Sequence, residues 1–260
     1  SIVHSHPLWL VERWITEFGV EETGALCAAN NRTPPLTVRV NTLKTDRNAA
    51  IAFLNAEGAT VDEIAPFSPD GLVLGKSGTV LKSSSAVQDG LIRIQEEASQ
   101  LIARLASPVP GEAVLDLCAG SGGKATHLAA LMGNRGRILS VDNSPAKLIA
   151  LTDTADRMGV TIVETLAADA AQIREDDLQG HFDLVMADVP CSGLGTLRRN
   201  PEIKWRIRPD DLKASADLQG SILRHGSAFL KIGGRLLYST CSVMPEENED
   251  VIKTFLAAHH

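Results

Sequence analysis

From residue 112 onward the chain alternates short apolar runs with helical stretches, and this rhythm constrains the fold more than any other feature. Ala113–Cys118 is an almost continuous apolar run broken by Asp116, the pattern of a strand buried on both faces. A helix over 124–132 follows, then a strand at Arg137–Val141 and a helix at Pro145–Met158. The alternation continues with strand Thr161–Ala167, a short helix near 170–178 and strand Phe182–Ala187. A long loop then precedes helix 210–230, strand Gly234–Ser239 and a last helix from about Glu246. Five strands alternating with helices predict a doubly wound, mostly parallel α/β sheet.

The first 105 residues read differently. Apolar side chains recur at helical spacing over residues 8–18 and stop at Gly19, and Val20–Asn30 predicts a second helix. Pro34-Pro35 breaks it, and Leu36–Val40 alternates like a strand. Asp46 is placed to cap a helix that stops near Gly58. Short strands around Thr60–Ile64 and Gly71–Leu74, a hinge near Ser83–Gly90 and a helix from about Glu96 to Leu105 complete a small α/β module.

Of the 260 residues, 44% are apolar, which excludes a disordered chain, and no apolar run reaches the ~18–20 residues that span a bilayer. With no secretory signal pattern at its start, the chain is expected to be cytoplasmic, and nothing in it requires more than a monomer. The net charge of −7 argues against broad nonspecific binding to nucleic acid, so phosphate contacts must come from a local cluster. Four cysteines with no CxxC pair make a structural zinc site a poor expectation and direct attention to individual thiols; no metal is expected.

Asp116-Leu117-Cys118-Ala119-Gly120-Ser121-Gly122-Gly123-Lys124 links the first strand of the alternating region to its helix. Glycines there let the backbone approach a ligand, and the helix N-terminus offers free N–H groups. A P-loop reading fails because Ala125 follows Lys124. The match to GxGxxG/A is partial, through Gly120, Gly122 and Ala125; Asp142, at the end of the second strand, is placed for ribose hydroxyls. An adenosyl cofactor fits, but the pattern does not separate NAD from S-adenosylmethionine.

Two further strand ends carry cysteines: Asp188-Val189-Pro190-Cys191-Ser192-Gly193 and Ser239-Thr240-Cys241-Ser242. Ligands of open α/β sheets bind beyond the carboxyl ends of strands, so both thiols and Asp188 fall where a reaction belongs. Cys118 and Cys27 read as buried residues. Paired thiols near a methyl sulfonium suit one chemistry. Carbon 5 of cytosine is a poor nucleophile until a thiolate adds at carbon 6, and the second cysteine then assists release. Asp188 is placed to recognise the amino edge of the base, and Lys124 adds a positive group. The loop Leu197–Arg208 places five basic residues around Trp205, a surface for phosphates and bases. Arg32, Arg39, Lys44 and Arg47 are candidate contacts from the upstream module.

With these residues in place, the chain resembles the RNA (cytosine-5)-methyltransferases of the bacterial Sun/Fmu type, relatives of the Nop-type nucleolar enzymes. The resemblance covers most of residues 5–257. It rests on Asp116–Lys124, on Asp188–Gly193 with Arg198–Trp205, and on Thr240-Cys241-Ser242 with Pro245-Glu246-Glu247-Asn248. Gln95–Gln100 and Val38–Thr42 also look like segments of this family. It implies a Rossmann-like methyltransferase fold, with an RNA-binding module over residues 1–90 and a catalytic domain over 91–260. It implies S-adenosyl-L-methionine as cofactor and small-subunit ribosomal RNA as partner. Cys241 is then the nucleophile and Cys191 promotes product release. The cofactor contacts fall on the turn Cys118–Lys124, Asp142 (ribose), Asp169 (adenine) and Asp188 (methionine end and base). The family turn usually reads Ala-Pro-Gly-Gly-Lys, where this chain has Gly120-Ser121, and arginine is common where Lys147 stands. The last two strands and the upstream helical domain of the family are missing. A shortened member or a fragment is expected, and the alternative function is an impaired RNA-binding or assembly protein.

Overall fold

The computed structural model describes residues 2–75, 81, 84–173, 178 and 182–259. They cluster into two compact units. One comprises Pro35–Asp188 with His225–Tyr238, the other Ser1–Pro34, Val189–Arg224 and Ser239–His260.

The first of these units holds two sheets. Strands β1 (Leu36–Val40), β2 (Val61–Ile64), β3 (Gly71–Leu74) and β4 (Ile92–Ile94) form an antiparallel sheet in the order β2-β3-β1-β4. Val38 and Val40 from β1, Leu72 and Leu74 from β3, and Ile92 from β4 join Ala50 and Leu54 of helix Arg47–Ala56 in one core. The expected cap is present: Asp46 Oδ1 accepts from Ala49 N at 2.9 Å. Ser83 of the expected hinge lies outside the described residues. Residues 84–90 fold as a turn of helix, Ser85–Gln88, capped by Ser84. A hydroxyl able to satisfy the first free N–H turns a polar stretch into a helix start.

Strands β5 (Ala113–Asp116), β6 (Arg137–Asp142), β7 (Val163–Ala167), β8 (Phe182–Asp188) and β9 (Leu230–Ser239) form the second sheet, in the order β7-β6-β5-β8-β9. The pairs β5–β6, β5–β8 and β6–β7 are parallel. Burial explains the order. The central β5 and β8 carry the apolar runs, with Leu115, Leu184 and Val185 fully buried, each worth roughly 1.5–3 kcal/mol. Glu164 and Thr165 of the edge strand β7 are exposed, as an unpaired edge requires. The expected strand at Ala113–Cys118 stops at Asp116, because Leu117 and Cys118 already belong to the turn. The strand expected at Gly234 begins earlier, at Leu230, and runs through the Gly233-Gly234 pair. Residues 174–177 of the expected helix near 170–178 lie outside the described residues; Ala170–Gln172 are turn.

The two sheets are joined by buried polar contacts. Arg39 of β1, fully buried, donates to Gln95 Oε1 at 2.5 Å, Gly123 O at 2.7 Å and Thr126 Oγ1 at 3.1 Å. It is therefore a structural tie and not one of the expected phosphate contacts. Asn41 Nδ2 donates to Gly90 O at 2.7 Å and Met158 O at 2.8 Å. Asp70 pairs with Arg104 and, at 3.3 Å, with His127.

In the other unit, helices Leu8–Phe18 and Val20–Asn30 form as expected. Leu10, Val11 and Trp14 pack with Cys27, Leu194, Leu197, Leu212 and Met244, while Leu8 and Phe18 face solvent. Among the described residues no helix is long and apolar enough to cross a membrane.

Candidate active site

In the unit built on the parallel sheet, the chain turns between β5 and helix Gly123–Leu131 at the point where strand order reverses. Leu117 N donates to Met186 O at 3.0 Å and Ala119 N to Val141 O at 2.8 Å, which seats the turn on the ends of both neighbouring strands. Gly122 is left-handed at φ +81°, and a Cβ there would meet Leu151 Cγ at 2.7 Å. It serves as N-cap without a side-chain cap. The flexibility that Gly120-Ser121 introduces is offset from the antiparallel sheet. Arg93 of β4 donates to Ser121 O at 3.1 Å and to Ser121 Oγ at 3.3 Å, while Arg39 holds Gly123 O.

Acids gather around this turn. Asp142, at the end of β6, accepts from Gly120 N at 3.0 Å and Ser144 N at 2.9 Å, with Lys147 Nζ 3.5 Å away. Ala168 N donates to Asp142 O at 3.2 Å, which brings the end of β7 alongside. Asp169, one residue on, is exposed; it accepts from Ala171 N and Gln172 Nε2, both at 2.9 Å. Asp188, ending β8, forms an ion pair with Lys124. Asp116 is buried, and among the described residues neither of its carboxylate oxygens has a hydrogen bond of ordinary geometry. Burial, eased by Lys124 and reinforced by Asp188, pushes its pKa up to about 7. Cys118 is half-buried, and burial together with the charges of Asp116, Asp188 and Asp142 raises its pKa, so it stays a thiol.

In the other unit, the loops after β8 and β9 bring the two predicted thiols together. Cys191 Sγ and Cys241 Sγ are 2.9 Å apart, and Cys241 N donates to Cys191 Sγ at 3.2 Å. Cys241 is exposed and Cys191 half-buried. The hydrogen bond with Cys241, then burial, then repulsion from the neighbouring sulfur raise the Cys191 pKa. Gly195 N donates to Cys241 O at 2.8 Å. A Cβ on Gly195 would sit 2.8 Å from that oxygen, so the approach of the loops requires glycine. Leu194 and Met244 anchor the loops in the apolar core of the unit.

Behind the sulfurs lies a polar cluster that sequence reasoning missed. Glu247 and Asn248 belong to a recognisable motif, but no spacing signals what they bind, and Gln219 sits mid-helix with no signal at all. Glu247, fully buried, accepts from Ser192 N at 2.7 Å, Ser192 Oγ at 2.5 Å and Gln219 Nε2 at 3.1 Å. Asn248 Nδ2 donates to Ser242 O and Met244 O, and its Oδ1 accepts from Thr240 Oγ1 at 2.7 Å. The basic loop is more selective than expected. Lys204 is buried, and Arg198 is directed to Arg32 O and Thr33 O, whereas Arg206, Arg208 and Trp205 are exposed.

The chain is similar to known proteins along most of its length. Residues 103–260 fit the family model "16S rRNA methyltransferase RsmB/F", and residues 6–81 fit "Methyltr_RsmF/B-like, ferredoxin-like domain". A probable ribosomal RNA small subunit methyltransferase B of Bacillus subtilis is 39% identical over 98% of this chain and 56% of its own length. The ribosomal RNA small subunit methyltransferase B of Pseudomonas syringae pv. tomato is 37% identical over 97% of this chain and 56% of its own. The chain thus spans little more than half the length of these curated relatives. The crystal structure of a methyltransferase homolog protein from Pyrococcus horikoshii is 33% identical with a TM-score of 0.86, over 98% of this chain and 80% of that one. With the family model fitting more than half of its residues, the chain belongs to the 16S rRNA methyltransferase RsmB/F family.

Proposed function

We propose that this protein transfers a methyl group from S-adenosyl-L-methionine to carbon 5 of a cytosine in RNA, within small-subunit ribosomal RNA, through a covalent adduct with Cys241. The observation that carries this reading is the thiol pair: the sulfur of the exposed Cys241 lies 2.9 Å from that of the half-buried Cys191.

The turn fits the cofactor. Asp116 is an orphaned buried acid at the end of β5, Asp142 and Asp188 end β6 and β8, the two strands that flank it, and a helix N-terminus stands without a side-chain cap. This acidic set suits a sulfonium and an ammonium group and disfavours the pyrophosphate of a dinucleotide. The turn Cys118–Lys124 with Asp142 and Asp169 would hold the adenosyl part, and Asp188 the methionine end. When bound, the cofactor supplies an electrophilic methyl group.

The chemistry of the chain itself follows from the two sulfurs. Cys241 thiolate forms a bond to carbon 6, and the electron pair of the 5,6 double bond moves to carbon 5, which becomes nucleophilic. After alkylation the carbon 5 proton leaves to a base, the pair re-forms the double bond, and the carbon–sulfur bond breaks to return the thiolate. Cys191, its pKa raised by the hydrogen bond with Cys241 and by burial, is the group next to that departing sulfur and the one suited to govern release. Asp188, oriented by Lys124, accepts from the cytosine amino group, which uracil lacks. Residues 1–90 serve as RNA-binding module and 91–260 as catalytic domain.

The test uses the purified chain, labelled cofactor and 5-fluorocytosine RNA. Cys241→Ala is expected to form no adduct, whereas Cys191→Ala is expected to accumulate one with ordinary RNA. Exchange of those outcomes would move the nucleophile to Cys191, and absence of any methyl transfer would favour a protein that only binds RNA.

A further inference from the structure

Each cysteine is followed by a serine, and the two hydroxyls meet: Ser192 Oγ lies 3.2 Å from Ser242 Oγ. Ser192 is bound on its other side to Glu247 through both its N–H and its hydroxyl. Glu247 in turn is steadied by Gln219, whose Nε2 also donates to Pro190 O at 2.9 Å, one residue before Cys191. A fully buried carboxylate is costly to keep unless its acceptors are filled, and here three donors fill it. Two of them belong to Ser192, next to Cys191, and the third, Gln219 Nε2, also holds Pro190 O on the other side of Cys191, while Glu247 itself sits on the segment that follows Cys241. One carboxylate therefore couples the two loops.

We infer that Glu247 is a positioning residue for the cysteine pair: by gripping Ser192 it fixes the Cys191 sulfur against the backbone N–H and sulfur of Cys241. This rests on the proposed roles of the two thiols. Without the grip, Ser192 N–H, Ser192 Oγ and Gln219 Nε2 lose their acceptor and the Cys191 loop relaxes. Displacement of a reacting group by about 1 Å is enough to slow a step 100-fold.

Methylation of cytosine RNA by the full chain is compared among wild type, Glu247→Gln, Ser192→Ala and the double variant. Glu247→Gln keeps the shape and two of the acceptor contacts but turns a donor toward the serine hydroxyl. Each single variant is expected to lower the saturated rate about tenfold, with KM for RNA and cofactor moving less than about threefold. The double variant is expected to be no slower than the slower single one, since both changes remove the same contact. Iodoacetamide alkylation followed by mass spectrometry across pH gives a readout independent of turnover. In both single variants the Cys191 thiol, released from its hydrogen bond with Cys241, is expected to move down toward the ~8.5 of a free cysteine. Glu246→Gln, at the neighbouring position that pairs with Arg13, leaves both readouts unchanged. Wild-type rates in the single variants, multiplying effects in the double variant, or an unmoved alkylation profile would each overturn the inference. A wild-type chain that binds S-adenosylhomocysteine but transfers no methyl group would instead sink the parent reading, and the alkylation profiles would still decide the role of Glu247.

Discussion

Asp116 and His127 pull the stability of this protein in opposite directions as pH changes. Burial raises Asp116 from 3.8 to about 7, so folding takes up a proton across that window and stability falls as pH rises through it. Burial, only partly offset by the hydrogen bond to Asp70, lowers His127 from 6.5 to about 4. Folding excludes that proton, so its contribution is lost as pH falls from 6.5 toward 4. Between about 4 and 6.5 the two slopes oppose each other. Asp116→Asn removes one of them. Urea unfolding of the cofactor-free variant is expected to show stability rising with pH more steeply than wild type, with a gain on the order of 3 kcal/mol at pH 8. Equal slopes in variant and wild type would show that Asp116 does not bind its proton in the fold. Neither shift is written in the sequence. Asp116 reads there as an interruption of an apolar run, and only three-dimensional enclosure strands its carboxylate.

At the scale of elements, helices and strands were legible wherever periodicity was long or a cap was present, as in Pro145–Met158 and the Asp46-capped helix. The contacts between elements were not. Ser121 in place of the family proline suggests a loose turn, yet Arg93 from an upstream strand takes hold of both its carbonyl and its hydroxyl. Arg93→Ala is therefore expected to weaken S-adenosylhomocysteine binding about tenfold in calorimetry, with little change in melting temperature. Unchanged affinity would mean that the turn is rigid on its own. Arg39 makes the same point in reverse. A charged residue in an alternating strand reads as surface, but pairing β1 between β3 and β4 turns its side chain inward, against Gly123.

For the whole molecule, a net charge of −7 would leave the proposed RNA binding to local clusters of exposed groups, among them Trp205, Arg206 and Arg208. Under the proposed function, the slope of log affinity against log salt is expected to be shallower than about −3, at roughly −0.7 per phosphate on a single strand. Trp205, 62% exposed, offers a face for a base. Trp205→Ala is expected to cost about 1–3 kcal/mol of RNA affinity and to leave cofactor binding intact. A steep salt slope with no effect of the substitution would locate the RNA surface elsewhere.

The order of strands and helices, the glycine turn and the identities of the two thiols follow from the sequence alone. Each is a local pattern: a period, a cap, or a residue type at a strand end. The tertiary structure decided what those patterns touch. It set the cysteine sulfurs 2.9 Å apart across 50 residues of chain, and it buried Glu247 behind them. It also turned Arg39 from a surface charge into an internal tie. Side chains distant in sequence meet only when strand register and packing are fixed, and no one-dimensional spacing encodes that meeting.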